Sequence, residues 1–277
     1  MGAGVDKENR SSDFRVPICM VLLEEAVPNN PKQVEEILSR SLPPGSFSVE
    51  EGEGTAVVSW NGADFSVIAV GAPIPGETFA MQIDHGTGDQ SGPKQAAERH
   101  KAHVIVSPLT QPTNTGGAIS LSIGLMYFCN LLAQGMKPLG LFWSRSEVLV
   151  DWHGFQEALS SAREAMSRAQ AGERADQFLP RDLWTGFRLY PSDGGTVGGF
   201  TTGLYVFVGY DVEIEPVRWP PGHVAQRLLG IIAYSLQAGP VLKDGDTLGI
   251  SDTERFHIHM VETAPSGRRA VLTLGQA

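Results

Sequence analysis

The sequence predicts an α+β protein of two lobes, each a mixed or antiparallel sheet covered by helices. Apolar runs of strand length alternate with helical segments that carry recognisable start and stop residues. Turn residues are abundant, with 32 Gly and 18 Pro among 277 residues. The polar stretch 172–182 separates residues 15–171 from residues 183–277. We expect those two ranges to be the lobes, after a flexible leader over residues 1–14.

The N-terminal lobe is expected to be ferredoxin-like, because its elements run strand, helix, three strands, helix, strand. The continuous apolar run Val16–Leu23 is typical of a central strand. Asn30 and Pro31 suit the cap and first residue of a helix that ends near Ser41. The other expected elements are strands Ala56–Trp60 and Phe65–Val70 joined by a tight turn at Asn61-Gly62, a strand near Phe79–Ile83, a helix opened by Ser91 and Pro93, and a strand His103–Ser107.

A long helix follows, for which Thr115 is the expected cap and Gly135 the expected left-handed residue at the C-terminus. Its apolar stretch Gly116–Ala133 is only marginally long enough for a membrane span and predicts a core helix. The remaining expected elements are strand Leu139–Trp143, helix Gln156–Ala171, strand Trp184–Tyr190, a mobile glycine-rich connection, strand Leu204–Ile214, helix Val224–Leu236, and strands Phe256–Val261 and Ala270–Leu274.

The composition argues against some classes of function and favours others. The net charge of −10 and the pI near 5.2 argue against nucleic-acid binding, which needs clustered Lys and Arg, and favour a basic partner. Cys19 and Cys129 lie in apolar runs, so we expect buried free thiols. The first fifteen residues have no apolar core typical of a secretory signal, which predicts a cytoplasmic protein, and we expect no cofactor.

His257 and His259 form the sharpest candidate site. They stand two residues apart on an expected strand, so both imidazoles would lie on one face, as a metal pair requires. A third ligand has to come from elsewhere, and Asp151 with His153 or Asp84 with His85 are the obvious acid–histidine pairs. The alternative to a metal site is a solvent-facing strand that carries two histidines.

Other catalytic patterns are incomplete. Asp244-Gly245-Asp246 begins like a calcium loop, but Leu248 and Arg255 stand where oxygen ligands are needed, so we expect a turn. The glycines of residues 194–203 lack the spacing of a phosphate-binding loop. Enzymes with a catalytic serine or cysteine pair that residue with a histidine at a typical sequence spacing. No serine or cysteine of this chain has a histidine at such a spacing.

Two acidic clusters are candidate partner-binding surfaces. Glu50, Glu51 and Glu53 precede an expected strand. Asp211, Glu213 and Glu215 alternate along another, so their side chains would project from one side of its sheet. Like charges in a row repel unless something basic covers them. A cationic protein would relieve that repulsion, whereas a solvated, charge-protected edge strand would need no partner.

Three C-terminal motifs carry a family resemblance: Trp184-Thr185-Gly186, Thr202-Gly203-Leu204 leading into Val208–Glu213, and Asp244–Gly249. They resemble a bacterial family known only as a domain of unknown function, and the resemblance covers about the last third of the chain. It implies no activity. The family is associated with polymorphic-toxin and type VI secretion neighbourhoods, where small acidic proteins serve as immunity partners.

The sequence therefore favours a cytoplasmic protein-binding protein over an enzyme. We expect an immunity or accessory protein that neutralises a basic partner, such as a toxin, in interbacterial competition. The alternative is a metal-dependent hydrolase that uses His257 and His259. A structural lobe of a larger assembly is a third possibility.

Overall fold

The protein folds as two compact α+β units, as expected for the fold class. The first unit comprises residues 16–110 and 120–186, and the second comprises residues 111–119 and 187–277. The computed structural model describes residues 16–27, 30–52, 54–80, 90–251, 254–267 and 269–276. The expected leader over residues 1–14 lies outside these ranges.

The first unit contains a seven-stranded sheet of order β2-β3-β4-β5-β1-β6-β7, in which every neighbouring pair is antiparallel. The ferredoxin-like character expected for this lobe appears in the alternation of strands and helices along the chain, and the sheet has seven strands. The strands are β1 Cys19–Leu23, β2 Phe47–Gly52, β3 Thr55–Trp60, β4 Ala63–Val70, β5 Ala102–Pro108, β6 Pro138–Trp143 and β7 Val148–Asp151.

The central strand of this sheet is β1, as its apolar run predicts. It lies between β5 and β6, and it is nearly fully buried because both faces of the sheet are covered at this point. The hairpin of β3 and β4 is also confirmed. Asn61 and Gly62 have φ angles of 51° and 78°, the two left-handed residues that a type I′ turn requires.

Among the described residues, four helices of nine residues or more belong wholly or mainly to the first unit: α1 Pro31–Ser39, α2 Ser91–Arg99, α3 Thr115–Ala133 and α4 Trp152–Gln170. The Asn30 side chain caps α1 by accepting a hydrogen bond from the Lys32 amide at 2.9 Å, as expected. Asp151 caps α4 by accepting from the Gly154 amide at 2.8 Å, so that helix begins four residues earlier than expected.

The ends of α3 differ from the prediction. Asn114 is the cap, since its side chain accepts from the Gly117 amide at 2.8 Å, whereas Thr115 is the first helical residue and donates to the Phe207 carbonyl. Gly135 is not left-handed. Glycine is needed there because a Cβ would lie 2.8 Å from Ile37 of α1.

The core of the first unit joins α3 to the sheet. Phe128 of α3 stacks on Phe65 of β4 with ring centroids 4.4 Å apart, and Trp60 lies 5.9 Å from Phe128. Cys19 and Cys129 are both free and buried, as predicted, and burial raises the pKa of the Cys19 thiol. By length and composition α3 is apolar enough to cross a membrane, and half of its apolar window is buried within the protein.

A second apolar cluster lies on the face of the sheet that α2 covers, and consists of Leu22, Ile74, Phe79, Phe142 and Leu149. The expected strand Phe79–Ile83 is wrong at its start. Residues 77–80 form a helical turn that follows a Pro75-Gly76 bend and buries Phe79 against Phe142. Residues 81–83 lie outside the described ranges.

The second unit contains a six-stranded sheet of order β11-β12-β13-β10-β9-β8, in which β10 and β13 are parallel. Helix α5, Pro221–Ala238, packs against β9 and β10 through residues that include Val224, Leu228 and Ile232. The strands are β8 Gly186–Ser192, β9 Thr196–Thr202, β10 Asp211–Val217, β11 Thr247–Ser251, β12 Glu254–Thr263 and β13 Arg269–Gln276.

The long strand expected over Leu204–Ile214 is not continuous. Tyr205–Val208 form one helical turn, which ends at Gly209 with a φ of 83° before β10 begins. Leu204, Val206, Phe207 and Val208 are all buried, which an extended strand with two distinct faces does not require. The expected mobile glycine connection is mostly strand β9, in which Gly199 allows close packing: a Cβ there would lie 2.9 Å from Leu228.

Candidate functional site

The carboxylate row, Asp211, Glu213 and Glu215, occupies alternate positions of β10, as the sequence predicts. Its exposure differs from the prediction. The Asp211 side chain is 4% exposed and Glu213 is fully buried, while Glu215 is half-buried. The reason is the place of β10 inside the sheet, between β13 and β9, two strands from the β8 edge and three from the β11 edge. A row that was expected to face a partner therefore lies mostly inside the protein.

Asp211 supports the chain reversal that precedes β10. Its Oδ1 accepts hydrogen bonds from the Thr201 hydroxyl at 3.0 Å and from the Leu204 amide at 3.1 Å. The Thr201 hydroxyl oxygen in turn accepts from the Val212 amide at 2.9 Å. These bonds tie β9, the helical turn and β10 together, which is a structural role for the carboxylate.

Glu213 is held by donors from two other elements. The Tyr190 hydroxyl of β8 donates to Oε1 at 2.6 Å, and the Ser266 amide donates to the same oxygen at 2.9 Å. The Ser266 hydroxyl donates to Oε2. Burial raises the pKa of Tyr190 well above its ordinary value, and its hydrogen bond to Glu213 and the charges of Glu213 and Glu215 act in the same direction.

These contacts correct the assignment of Asp211 and Glu213 as partner-binding residues. A buried carboxylate is costly unless hydrogen bonds replace water, and here hydroxyl and amide donors supply them. A basic partner is therefore not needed to offset the cost of burying these two carboxylates. Tyr190 and Ser266 carry no sequence signal that links them to Glu213, because the link depends on the order of strands in the sheet.

His257 and His259 lie on one exposed face of β12, as expected, with ring centroids 6.4 Å apart. His257 pairs with Gly275 of β13. The Glu215 carboxylate approaches the same glycine, since a Cβ on Gly275 would lie 3.1 Å from Glu215 Oε2. Glu215 is thus a neighbouring carboxylate on the histidine face.

A metal centre is not assembled in the described part of the chain, where no group of three His, Cys, Asp or Glu side chains is placed to hold an ion. In the first acid–histidine pair, Asp151 caps α4 in the first unit, and the exposed His153 Nε2 lies 3.4 Å from Glu157 Oε1. Asp84 and His85 lie outside the described residues.

The Asp244-Gly245-Asp246 segment is a turn, as expected, and Gly245 has a φ of 84°. Its carboxylates bind backbone amides: Asp246 Oδ2 accepts from Lys243 at 2.9 Å, and Asp244 Oδ1 accepts from Met260 at 2.8 Å. Both therefore fix the approach to β11 beside β12.

The first acidic cluster remains at the surface. Glu50 and Glu51 are both exposed on β2, the edge strand of the first unit's sheet. They pair with Val57 and Ala56 of β3, so their side chains leave opposite faces of the edge. Glu53 lies outside the described residues. Helix α1, which packs against β2 and β3, adds exposed Glu35 and Glu36.

The structure thus defines a two-unit α+β protein with an acidic sheet edge in the first unit and a buried carboxylate row in the second. Residues 200–274, from within β9 to within β13, match the family model of a domain of unknown function, DUF4261. This agrees with the resemblance to a family of unknown function in the C-terminal part of the chain. No curated protein and no solved structure matches the chain.

Proposed function

We propose that this chain is a protein-binding protein that engages a basic protein through its acidic edge, Glu50 and Glu51 of β2. The observation that carries the proposal is that two adjacent carboxylates stand exposed on an edge strand whose outer backbone side has no neighbouring strand in the described sheet. An edge of this kind can bind an extended segment of a partner through main-chain and side-chain contacts.

The acidic edge differs from other acidic groups of the same unit. Glu24 accepts a hydrogen bond from Arg99 at 2.7 Å and Glu25 one from Lys137 at 2.8 Å, so those carboxylates already have cationic partners. Among the described residues, Glu50 and Glu51 make no such ion pair. Cationic side chains of another protein could therefore form ion pairs with both carboxylates.

The surrounding charge supports the same partner class. Residues 16–110 contain 12 acidic and five basic residues, so most of the net charge of −10 comes from this part of the chain. A local excess of one sign raises the rate at which an oppositely charged protein is captured, and the effect weakens as salt screens it. The acidic edge would then determine where that protein docks.

The biological role that we propose is neutralisation in the cytoplasm, with this chain as an immunity or accessory protein and a basic toxin as its partner. The acidic balance supports this role, and so does the association of the resembled family with toxin and type VI secretion neighbourhoods. The metal-dependent hydrolase that uses His257 and His259 is the alternative. Among the described residues, these two histidines belong to no group of three side chains that could hold a metal ion.

The test is capture of partners from host lysate by the tagged protein, with mass spectrometry of what is retained, followed by reconstitution with the purified candidate. The informative variant is Glu50→Lys with Glu51→Lys. A matched control is Asp193→Lys with Glu262→Lys, which changes the net charge equally at two exposed residues of the second unit.

We expect a basic protein that is retained by the wild type and by the control variant but lost with the variant of the acidic edge. Equal retention by all three proteins would show that the acidic edge is not the binding site. Equal loss from both variants would show that net charge alone matters.

A further inference from the structure

The latch segment, residues 71–80, lies between β4 and α2 and carries two members of the apolar cluster, Ile74 and Phe79. Both side chains are buried, against residues that include Leu22 and Phe142. The segment has one turn of helix, at residues 77–80. Residues 71–76 belong to neither a helix nor a strand, so regular secondary structure does not hold this part of the backbone in place. Two buried histidines supply hydrogen bonds to that backbone.

His100 follows α2 and is 5% exposed. Its Nε2 accepts a hydrogen bond from the Ile74 amide at 2.8 Å, and its Nδ1 lies 2.7 Å from the Ala97 carbonyl. A carbonyl only accepts, so Nδ1 carries the ring proton and Nε2 is the lone-pair nitrogen. Phe79 also packs edge-on against this ring, with centroids 5.7 Å apart. Only the neutral imidazole satisfies both bonds.

His103 of β5 is 8% exposed and donates from Nδ1 to the Ala72 carbonyl at 2.9 Å. Its cross-strand neighbours are Leu22 of β1 and Val70 of β4, both apolar. Burial lowers the pKa of His103, the bond to Ala72 opposes that shift, and the nearby His100 adds to it. Protonating His103 therefore costs more free energy while residues 71–80 are packed on the sheet, which is the closed structure, than it does in water.

Among the described residues, no charged side chain forms an ion pair with either ring. Arg99, next to His100 in sequence, donates to Glu24 at 2.7 Å. Lys94 and Glu98 of α2 are exposed, and so is Glu77 of the latch segment itself. The groups that face His103 across β1 and β4 carry no charge.

We infer that His100 and His103 form an acid-sensitive latch, which holds residues 71–80 on the sheet when both rings are neutral and releases them when the rings are protonated. A proton on His100 Nε2 replaces the acceptor for the Ile74 amide with a second donor. Two neighbouring imidazolium rings then also repel each other in a poorly hydrated site. Release of the segment uncovers the apolar cluster over β1 and β6.

The direction with pH follows from His103. Its folded pKa lies below its ordinary value of about 6.5, so its contribution to the closed state is complete above that pH. The contribution is lost as the pH falls below about 6.5 toward the folded pKa. For one histidine whose pKa is about 6.5 in the open state, the opening equilibrium shifts by at most about tenfold at one pH unit below 6.5.

Amide hydrogen exchange of the full chain, read as protection factors at about pH 7.5 and 5.5, tests the latch. We expect protection of Ile74, Thr78 and Phe79 to fall reversibly at the lower pH, by up to about tenfold, while strands β3 and β5 keep theirs. An unchanged protection of the latch segment would overturn the proposal, and so would a simultaneous loss across the whole sheet.

The variant His100→Gln separates the latch from general acid sensitivity. A glutamine oxygen can accept from the Ile74 amide but does not titrate. Because His103 remains, we expect the latch segment of this variant to lose less protection at the lower pH than that of the wild type. His153→Gln, at an exposed histidine of the same unit, should behave as the wild type does. A pH response in His100→Gln equal to that of the wild type would exclude His100 as the sensor.

Discussion

The bond between Tyr190 and Glu213 provides a direct test of how the buried carboxylate row is stabilised. The substitution Tyr190→Phe removes the hydroxyl that donates to Glu213 Oε1 at 2.6 Å and keeps the ring, which packs 6.2 Å from Phe200. Ser266 still donates to both carboxylate oxygens through its amide and its hydroxyl. The change therefore isolates one hydrogen bond to a buried charge.

The expected loss in the free energy of unfolding is about 2 kcal/mol, because a hydrogen bond to a charged group contributes about 1.5–3 kcal/mol and the ring packing is retained. The matched control is Tyr234→Phe at an exposed tyrosine of α5, for which we expect a change within about 0.5 kcal/mol. Urea unfolding of both variants beside the wild type gives the two differences.

Alkaline pH adds an independent readout. The folded pKa of Tyr190 is raised above its ordinary value of about 10, so the advantage of the wild type over Tyr190→Phe is complete below that pH and is lost as the pH rises through the folded pKa. A loss of stability no larger than that of Tyr234→Phe, together with the same alkaline profile in all three proteins, would refute the role of Tyr190.

Two packing predictions concern the first unit. Phe128→Ala removes the ring that stacks on Phe65 at 4.4 Å and should lower the free energy of unfolding by about 3–5 kcal/mol, measured by urea unfolding. Gly135→Ala places a Cβ 2.8 Å from Ile37 and should cost about 1–3 kcal/mol. Adding Ile37→Ala should recover part of that cost in a double-mutant cycle, and strictly additive losses would show that the two residues do not meet.

Local signals in the sequence predicted local structure well. Asn30 before Pro31 identified the start of α1, and Asn61-Gly62 identified the hairpin of β3 and β4, because the backbone bonds and φ angles involved depend on those residues alone. The apolar run of β1 likewise indicated a central strand, since a strand covered on both faces has no polar side.

Features that depend on the order of strands could not be predicted. The pattern Asp-x-Glu-x-Glu of β10 is the same whether the strand lies at an edge or in the middle of a sheet, and only the middle position buries Asp211 and Glu213. The residues around Phe79 were expected to form a strand because they are apolar. The bend at Pro75-Gly76 instead directs Phe79 into the cluster beside His100.

The candidate site was predicted in part. Glu50 and Glu51 are exposed as expected, and the two histidines share one face of β12 as expected. The donors to Glu213 come from β8 and from the turn after β12, which stand far apart in sequence. Nothing in their residue types distinguishes them from other tyrosines and serines.

Binding through the acidic edge is tested by the affinity of the purified basic partner for three proteins, each at about 50 and 300 mM salt. These are the wild type, Glu50→Lys with Glu51→Lys, and Asp193→Lys with Glu262→Lys. We expect that reversing the charge of the acidic edge weakens binding at low salt by at least about tenfold, or about 1.4 kcal/mol, while the control variant changes it much less. Equal weakening in both variants, or a wild-type affinity that salt does not change, would contradict the proposal that Glu50 and Glu51 form the binding surface.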